Sequence, residues 1–140
     1  MKILVAVDGS EYTKRLLAYI AAHELWLMPA HDYCVLHVVS AIPLRAAAAL
    51  DHDLVESYYA DEAQAVFASV RPFFEERGVV ATYLTEVGPA ADLIARTADV
   101  GQYDLLMMGS HGHGAFGSLV LGSVAGKVLS RCRTPLLLVR

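Results

Sequence analysis

The spacing of apolar residues along the chain alternates between the period of a strand and the period of a helix. Apolar runs of strand length, rich in branched side chains and ended by turn residues, predict five strands. These strands cover residues 2–7, 33–39, 79–87, 103–108 and 135–139. Apolar positions that recur every three or four residues predict four helices. These helices cover residues 11–28, 55–77, 89–100 and 119–132.

Prolines and glycines mark where several of these elements begin and end. Pro29 follows the first predicted helix, and Gly78 ends the second, whose last turn we expect Pro72 to kink. Pro89 stands at the start of the third helix, where a missing N–H costs nothing. Residues 40–53 hold a proline, an alanine run and two aspartates, and we interpret them as a mobile loop.

The order of these elements predicts the fold class. A regular alternation of strands and helices is typical of an α/β fold, an open five-stranded parallel sheet with helices on both faces. We expect residues 1–140 to form a single domain of this kind, because no linker or low-complexity tract interrupts them. Such sheets bind ligands beyond the carboxyl ends of their strands, so the loops over residues 8–10 and 109–118 are the candidate site.

Composition supports a folded protein without a membrane segment. Of the 140 residues, 56% are hydrophobic and 19% charged, with a mean hydropathy of +0.43, which excludes intrinsic disorder. Residues 105–126 lack charges and could span a bilayer by length, but half of them are glycine, serine or histidine, so no span is predicted. Cys34 and Cys132 are too few for a disulfide scaffold, and we expect reduced thiols in the cytoplasm.

Charge is unevenly distributed along the chain. All fifteen acidic residues lie at or before Asp104, so residues 1–104, with seven Lys and Arg, carry a formal charge of −8. Residues 105–140 carry four basic residues and no acidic one, a formal charge of +4. An anionic ligand is therefore repelled least by this last quarter. Four scattered basic residues in an acidic protein make no phosphate track, so no nucleic-acid partner is expected.

The segment from Gly109 to Ser123 holds five glycines between a predicted strand and a predicted helix. Glycines let backbone N–H groups approach an anion, and the helix N-terminus adds unpaired donors. The sequence Gly-x-x-x-x-Gly-Lys-Ser/Thr does not occur in the chain. A Gly-x-Gly-x-x-Gly match runs through Gly112, Gly114 and Gly117. No acidic residue follows it at the spacing a dinucleotide site needs, which argues against NAD and FAD.

A third glycine pattern fits the segment better. Gly109, Gly112, Gly122 and Ser123 match Gly-x2-Gly-x9-Gly-Ser/Thr. This is the nucleotide pattern of the universal stress protein family. The stretches KILVAVDGS, YCVLHVV, YDLLMMGSHG, LGSVAGKVL and TPLLLVR resemble that family's landmarks in the same order along the whole chain. The resemblance implies a sheet in the order 3-2-1-4-5, an ATP or AMP site at its carboxyl edge, and a homodimer.

The resemblance also implies roles for particular residues. Asp8 would meet the ribose, or the phosphate end together with Mg²⁺, and Val38 would offer its backbone to the adenine. Met108 and Gly109 would flank the ribose. The phosphates would be held by Gly109, Ser110, Gly112, Gly122 and Ser123. Adenine nucleotide is therefore the expected small-molecule partner.

Several of these residues also have purely structural interpretations. The loop glycines could serve only a tight crossover, and Asp8 could instead complement the dipole of the first helix. His111 and His113 lack a third ligand for a metal ion, so we interpret them as solvated loop residues. His37 lies in an apolar strand and is interpreted as a packed core residue.

The sequence contains no recognisable catalytic constellation, so a binding function is the first hypothesis and an enzymatic one is an alternative. The first is a stress-response regulator that binds adenine nucleotide and acts on a further protein partner. The alternatives are a slow ATPase that uses Asp8 and Mg²⁺, and a homodimeric scaffold with an unused nucleotide site. The implied strand order puts Leu136–Val139 at a sheet edge, so we expect the dimer contact there.

Overall fold

The computed structural model describes residues 1–114 and 120–140. The strands in these residues are β1 (Lys2–Ala6), β2 (Asp32–Val39), β3 (Ala81–Val87), β4 (Leu105–Gly109) and β5 (Leu136–Val139). The helices are α1 (Glu11–Ala22), α2 (Leu44–Ala48), α3 (His52–Glu75), α4 (Ala90–Val100) and α5 (Ser123–Arg131). Gly117, the end of the predicted loop 109–118 and the helix start predicted at residue 119 lie outside the described residues.

All neighbouring strands pair in parallel, in the order β3-β2-β1-β4-β5. The central strand β1 is paired on both sides, so that Val5 stands between Val35 of β2 and Met107 of β4. This arrangement confirms the α/β fold and the strand order that the family resemblance implied. It also leaves β3 and β5 at the two edges of the sheet.

Alternate residues of the central strands enter different apolar layers. Ile3 and Val5 pack under α1 and α3, where Phe67 and Phe74 are fully buried. Leu4 and Ala6 pack on the opposite face, under α4 and α5. Because successive side chains of a strand point to opposite faces, a strand covered on both sides must be apolar throughout. The predicted coverage of both faces by helices is confirmed.

The first helix is shorter than predicted, ending at Ala22 rather than near Met28. The backbone of His23 is extended, with φ −126° and ψ 96°, and a short 3-10 turn follows over Glu24–Leu27. A ring nitrogen of His23 donates to the carbonyl of Tyr19 at 2.8 Å. This side chain satisfies a carbonyl that a continuing helix would otherwise have paired, which stabilises the end of α1.

Residues 40–53 are not a plain loop, and that prediction was wrong. The alanine run forms the five-residue helix α2, consistent with the high helix propensity of alanine. Asp51 then caps α3, its carboxylate accepting a hydrogen bond from Asp53 N at 3.1 Å. The Tyr59 hydroxyl accepts a bond from Ile42 N at 2.9 Å and ties the connection to α3.

Other boundaries differ by a few residues. Helix α3 continues through Pro72 to Glu75, and Pro89 is the N-cap of α4 rather than its first residue. Strand β4 includes Gly109, which the prediction placed in the loop. Helix α5 begins at Ser123, with Gly122 as its N-cap. No helix of residues 1–114 and 120–140 combines the length and apolarity needed to cross a membrane.

Gly126 lies inside α5, and a Cβ atom there would meet no other atom within 4 Å. Alanine is favoured over glycine in helices because it restricts the unfolded chain. Gly126→Ala should therefore raise the free energy of unfolding by about 1 kcal/mol and the melting temperature by roughly 3–5 °C.

Gly101→Ala is the matched control, since its Cβ would stand 2.5 Å from the Tyr103 ring and 2.6 Å from the Thr97 carbonyl oxygen. This second substitution should destabilise the protein. Thermal denaturation in which Gly126→Ala melts below the unsubstituted protein would contradict the prediction.

Candidate functional site

A cleft of about 800 Å³ lies at the carboxyl edge of the sheet. The last residues of β1, β2 and β4 form its floor, and the N-terminus of α5 and one face of α3 form walls. The chain passes from β1 to β2 on one side and later places β4 on the other side of β1. Open α/β sheets bind ligands at such a switch point, because the diverging connections leave a crevice there.

The turn from β1 into α1 is held by a small hydrogen-bond network around Asp8 and Thr13. Asp8 Oδ1 accepts from Ser10 N at 2.9 Å and from the Thr13 hydroxyl at 3.1 Å. The Thr13 hydroxyl oxygen accepts in turn from the N–H groups of Asp8 and Gly9. Gly9 has a φ of +76°, a conformation that favours glycine. Asp8 therefore has a structural role through one of its two carboxylate oxygens.

The second oxygen of Asp8 faces the glycine-rich segment. A Cβ atom on Gly112 would stand 2.6 Å from Asp8 Oδ2, closer than a carbon and an oxygen can approach without displacement. A Cβ atom on Gly109 would stand 2.6 Å from Tyr12 Cβ, in the first turn of α1. The glycines at these two positions let the segment after β4 lie directly against the β1–α1 turn.

A backbone hydrogen bond closes the glycine-rich segment at its base. Gly122 N donates to the carbonyl of Ser110 at 2.8 Å, and a Cβ on Gly122 would lie 3.0 Å from His111 Cα. This bond places the start of α5 beside the end of β4. Gly122 and Ser123 line the cleft, and Ser123 is exposed at the first position of the helix. Unpaired N–H groups and the helix dipole favour an anion at such a terminus.

The three histidines of the cleft are held by hydrogen bonds. A ring nitrogen of His113 donates to the Asp8 carbonyl at 2.7 Å, which joins the glycine-rich segment to the β1–α1 turn. His111 Nδ1 pairs with the Ser110 hydroxyl at 2.9 Å, and the ring lies 5.0 Å from that of Tyr12. His113 is exposed after β4, as predicted for a solvated loop residue, whereas His111 is half-buried, and both rings also make hydrogen bonds. No group of three potential metal ligands occurs in the described part of the chain.

His37 is buried, as predicted, and packs edge-on against Phe67. Its Nδ1 donates to the Val7 carbonyl at 2.8 Å, since a carbonyl oxygen can only accept. The remaining exposed part of the ring lines the cleft. His37 thus links the carboxyl ends of β1 and β2.

The model of the Universal stress protein family matches residues 1–140. The chain belongs to this family.

Relatives of known sequence carry the same family name. A universal stress protein of Thermus aquaticus is 31% identical over 140 residues, which cover 99% of this chain and 97% of that protein. A universal stress protein of Synechocystis is 28% identical over 140 residues, 99% of this chain. The chain spans only 42% of the length of the Synechocystis protein.

Solved structures of the family superpose on the whole chain. A Methanocaldococcus jannaschii universal stress protein has a TM-score of 0.82 at 25% identity, covering 99% of this chain and 94% of that one. An Arabidopsis thaliana member with AMP bound has a TM-score of 0.70 at 16% identity, covering 99% and 90%. A member in complex with cAMP has a TM-score of 0.73 at 19% identity, covering 100% and 97%. An Archaeoglobus fulgidus member in complex with dAMP has a TM-score of 0.64 at 23% identity, covering 100% and 98%.

Seven of the eight site residues expected from the family pattern line the same cleft. These are Asp8, Val38, Met108, Gly109, Gly112, Gly122 and Ser123. The eighth, Ser110, is fully buried behind the cleft wall, where its N–H donates to the Val139 carbonyl and its carbonyl accepts from Gly122. Its position indicates that it supports the glycine-rich segment from behind. Contact between these residues and a ligand stays a prediction.

Sequence reasoning missed the wall that α3 contributes. Tyr58, Glu62 and Ser69 line the cleft together with Ala65 and Val66. A signal was present in the length of the helix, since 24 residues rise about 36 Å and an eight-residue strand spans only about 26 Å. A helix that much longer than its strand has to project past the sheet.

Proposed function

We propose that this member of the universal stress protein family binds an adenine nucleotide, ATP or AMP, in the cleft at the carboxyl edge. One observation carries the proposal: between Asp8 and the N-terminus of α5 the cleft is lined by Gly112 and Gly122, whose backbone is not covered by a side chain. Side chains at either position would collide with the neighbouring structure. The N–H of Gly122 is taken by the Ser110 carbonyl, but the missing side chains let a phosphate come close to the N–H groups of the first turn of α5, which begins at Ser123.

The phosphates belong at the α5 side of the cleft. The first turn of α5 carries no acidic residue, and Ser123 offers a hydroxyl beside the helix N-terminus. Residues 105–140 hold no carboxylate side chain, so this wall adds no repulsion. Hydrogen bonds to a charged phosphate are each worth about 1.5–3 kcal/mol, enough with base contacts for micromolar binding.

The adenosine belongs at the β2 side of the cleft. Val38 and Val39 end β2 there, and Met108 of β4 lies across the floor. Apolar side chains bind a purine ring better than they bind a phosphate. The structural relatives solved with AMP, dAMP and cAMP support an adenine nucleotide as the ligand.

Asp8 fits a role beside the ligand that needs a cation. Its Oδ1 is used by the β1–α1 turn, whereas Oδ2 points toward Gly112 in the cleft. A carboxylate there would repel a polyphosphate unless Mg²⁺ lay between them, and carboxylate oxygen is a preferred ligand of Mg²⁺. We therefore expect ATP to bind more tightly with Mg²⁺ than without it, and AMP to depend on Mg²⁺ less.

The proposed role is regulatory: the bound nucleotide changes a surface that a protein partner recognises. A slow Mg²⁺-dependent ATPase is the second candidate, favoured by the Asp8 oxygen that the turn leaves unused. Release of labelled phosphate from ATP separates the two. Turnover that is lost in Asp8→Asn supports the ATPase, and bound ATP that stays intact supports the regulator.

Nucleotide released from the purified protein by acid tests the proposal directly. We expect adenine nucleotide in the supernatant, and calorimetric titration of the stripped protein with AMP and ATP should give micromolar dissociation constants (about −8 kcal/mol). A stripped protein that is folded and gives no heat with either nucleotide contradicts the proposal and favours the scaffold with an unused site.

A matched pair of glycine substitutions locates the phosphates. In Gly112→Ala the new methyl group must displace Asp8 Oδ2, 2.6 Å away, and it covers the bare backbone. In Gly114→Ala the methyl group meets nothing within 4 Å. Neither glycine has a positive φ, so neither change strains the backbone.

Gly112→Ala should weaken AMP binding by roughly tenfold or more, about 1.4 kcal/mol, while Gly114→Ala leaves it within about twofold. Calorimetry on both variants, with circular dichroism to confirm folding, makes the comparison. Equal affinities for the two variants would place the phosphates elsewhere.

We also propose that the protein is a homodimer joined through β5. This strand stands at the sheet edge, and its side chains are already divided between the two apolar layers of its own chain. The backbone groups on its outer side therefore supply the contact. A second copy of β5, antiparallel across a two-fold axis, would satisfy those groups in both chains.

A further inference from the structure

Helix α3 projects past the sheet and forms a wall of the cleft. It has 24 residues, about 36 Å, whereas the adjacent strand β2 has eight, about 26 Å. Phe67, Val70 and Phe74 in its C-terminal half are fully buried against the sheet. The N-terminal half is braced by the bond from Ile42 N to the Tyr59 hydroxyl. The wall is therefore held in place by packing at one end and by a hydrogen bond near the other.

One face of this helix points into the cleft. Tyr58, Glu62, Ala65 and Ser69 line it at spacings of four, three and four residues, which is one side of an α-helix. The Ser69 hydroxyl donates to the carbonyl of Val66 at 2.6 Å and is thereby used within the helix. Glu62 is left as the charged group of the wall.

Among the described residues each side of the cleft carries one carboxylate, Asp8 beside Gly112 and Glu62 on α3, and the two sides differ in the N–H donors they offer. Glu62 is the carboxylate of the α3 wall, in a cleft that Val38 and Val39 also line. On the opposite side, Gly112 and the N-terminus of α5 offer N–H groups to an anion, and the carboxylate of Asp8 beside them is the one for which Mg²⁺ is proposed. A nucleotide that places its 5′-phosphates against α5 brings its base and ribose toward α3. A carboxylate accepts hydrogen bonds from hydroxyl and amino groups and repels a phosphate.

We infer that Glu62 determines specificity at the nucleoside end of the cleft: it admits adenine nucleotides whose ribose hydroxyls are free and rejects those that carry a second phosphate on the ribose. The ligand class is thereby narrowed to nucleotides phosphorylated at the 5′ position alone. This inference rests on the proposed nucleotide function and adds to it a rule for which nucleotides are excluded.

Competition between 5′-AMP and adenosine 3′,5′-bisphosphate tests the rule. The two dissociation constants are measured at low ionic strength for the unsubstituted protein, for Glu62→Gln and for Glu56→Gln. Glu56 is an exposed carboxylate of the same helix that does not line the cleft, so it controls for the loss of one negative charge from α3.

The preference for AMP is the dissociation constant of adenosine 3′,5′-bisphosphate divided by that of AMP. This ratio should be above one, and equal, for the unsubstituted protein and for Glu56→Gln. Glu62→Gln should reduce that ratio by about three- to tenfold, the scale of one charge acting across a few ångströms of partly aqueous space. Glu62→Lys should reduce it further by attracting the second phosphate. High salt should bring the ratios of the four proteins together, because the effect is electrostatic.

Two results would overturn the inference, and they are distinguishable. If AMP binds and Glu62→Gln keeps the same ratio as the unsubstituted protein, Glu62 does not select the ligand and the nucleotide site stands. If the unsubstituted protein binds neither compound, the proposed nucleotide function fails and the specificity rule fails with it.

Discussion

Asp99→Ala is expected to lower the free energy of unfolding by about 3 kcal/mol and the melting temperature by roughly 8–12 °C. The carboxylate of Asp99, in the last turn of α4, holds the connection between α5 and β5. It accepts from the N–H groups of Arg133 and Thr134 at 3.0 and 2.9 Å, from the Thr134 hydroxyl at 2.9 Å and from the Cys132 thiol at 3.4 Å. Its removal leaves several donors without this acceptor, two of them on the buried residue Thr134.

Two control variants separate this network from charge alone. Asp92→Ala removes an exposed ion pair with Arg131 from the same helix and should cost less than about 1 kcal/mol. Asp99→Asn keeps an acceptor of the same shape and should fall between the two. Denaturant unfolding in which Asp99→Ala is no less stable than Asp92→Ala would refute the role given to Asp99.

The contribution of Asp99 should also depend on pH. Partial desolvation raises the pKa of Asp99, but hydrogen bonds from Thr134, Arg133 and Cys132 outweigh it and hold the pKa below its usual value of 3.8. A carboxylate whose pKa is lower in the folded protein stabilises that state above its unfolded pKa, and the contribution is lost as the pH falls through the folded pKa. The stability difference between the unsubstituted protein and Asp99→Asn should be largest at neutral pH and shrink below pH 3.8.

Leu138→Pro is expected to convert the proposed dimer to a monomer, raising the dimer dissociation constant by about 100-fold or more. Leu106 N donates to the Pro135 carbonyl and Ser110 N to the Val139 carbonyl, so the odd-numbered residues of β5 face β4. The N–H of Leu138 therefore points outward, where a partner strand would pair with it. Proline removes that donor and is tolerated at an edge strand.

Leu138→Ala is the matched control, because it shortens the same side chain and keeps the N–H. Light scattering and analytical ultracentrifugation should find this variant dimeric and Leu138→Pro monomeric. If both variants stay dimeric, β5 is not the contact, and if the unsubstituted protein is a monomer at micromolar concentration, the proposed dimer does not exist.

The general architecture could be predicted because it depends on local patterns. Uninterrupted apolar strands predicted a sheet covered on both faces, and the family pattern gave the order of its strands. The errors arose where a single polar side chain starts or ends a helix at a residue that the spacing of apolar residues does not mark. The ring of His23 ends α1 by bonding to Tyr19, and Asp51 starts α3 inside a stretch interpreted as a loop.

The candidate site was predictable only as far as consecutive residues define it. The glycine spacing predicted that Gly109, Gly112 and Gly122 share one site, and all three line the cleft. The spacing gave no sign that Ser110 is buried. Its burial depends on β5, which pairs with β4 only in the folded chain. The wall formed by Glu62 lies far from those glycines in sequence, and only the helix length, compared with the strand length, could have indicated it.

The central position of β1 has a consequence for the synthesis of the protein. This strand leaves the ribosome first, yet one of its two neighbours, β4, begins only at Leu105. At roughly 5–20 residues per second, about 5–20 s pass during which β1 has an open edge. Until β4 emerges, the nascent chain therefore exposes one edge of a strand whose Ile3, Leu4 and Val5 are fully buried in the folded protein, and early pairing with β2 protects only the other edge. Truncation before residue 105 should leave a chain that cannot complete its core.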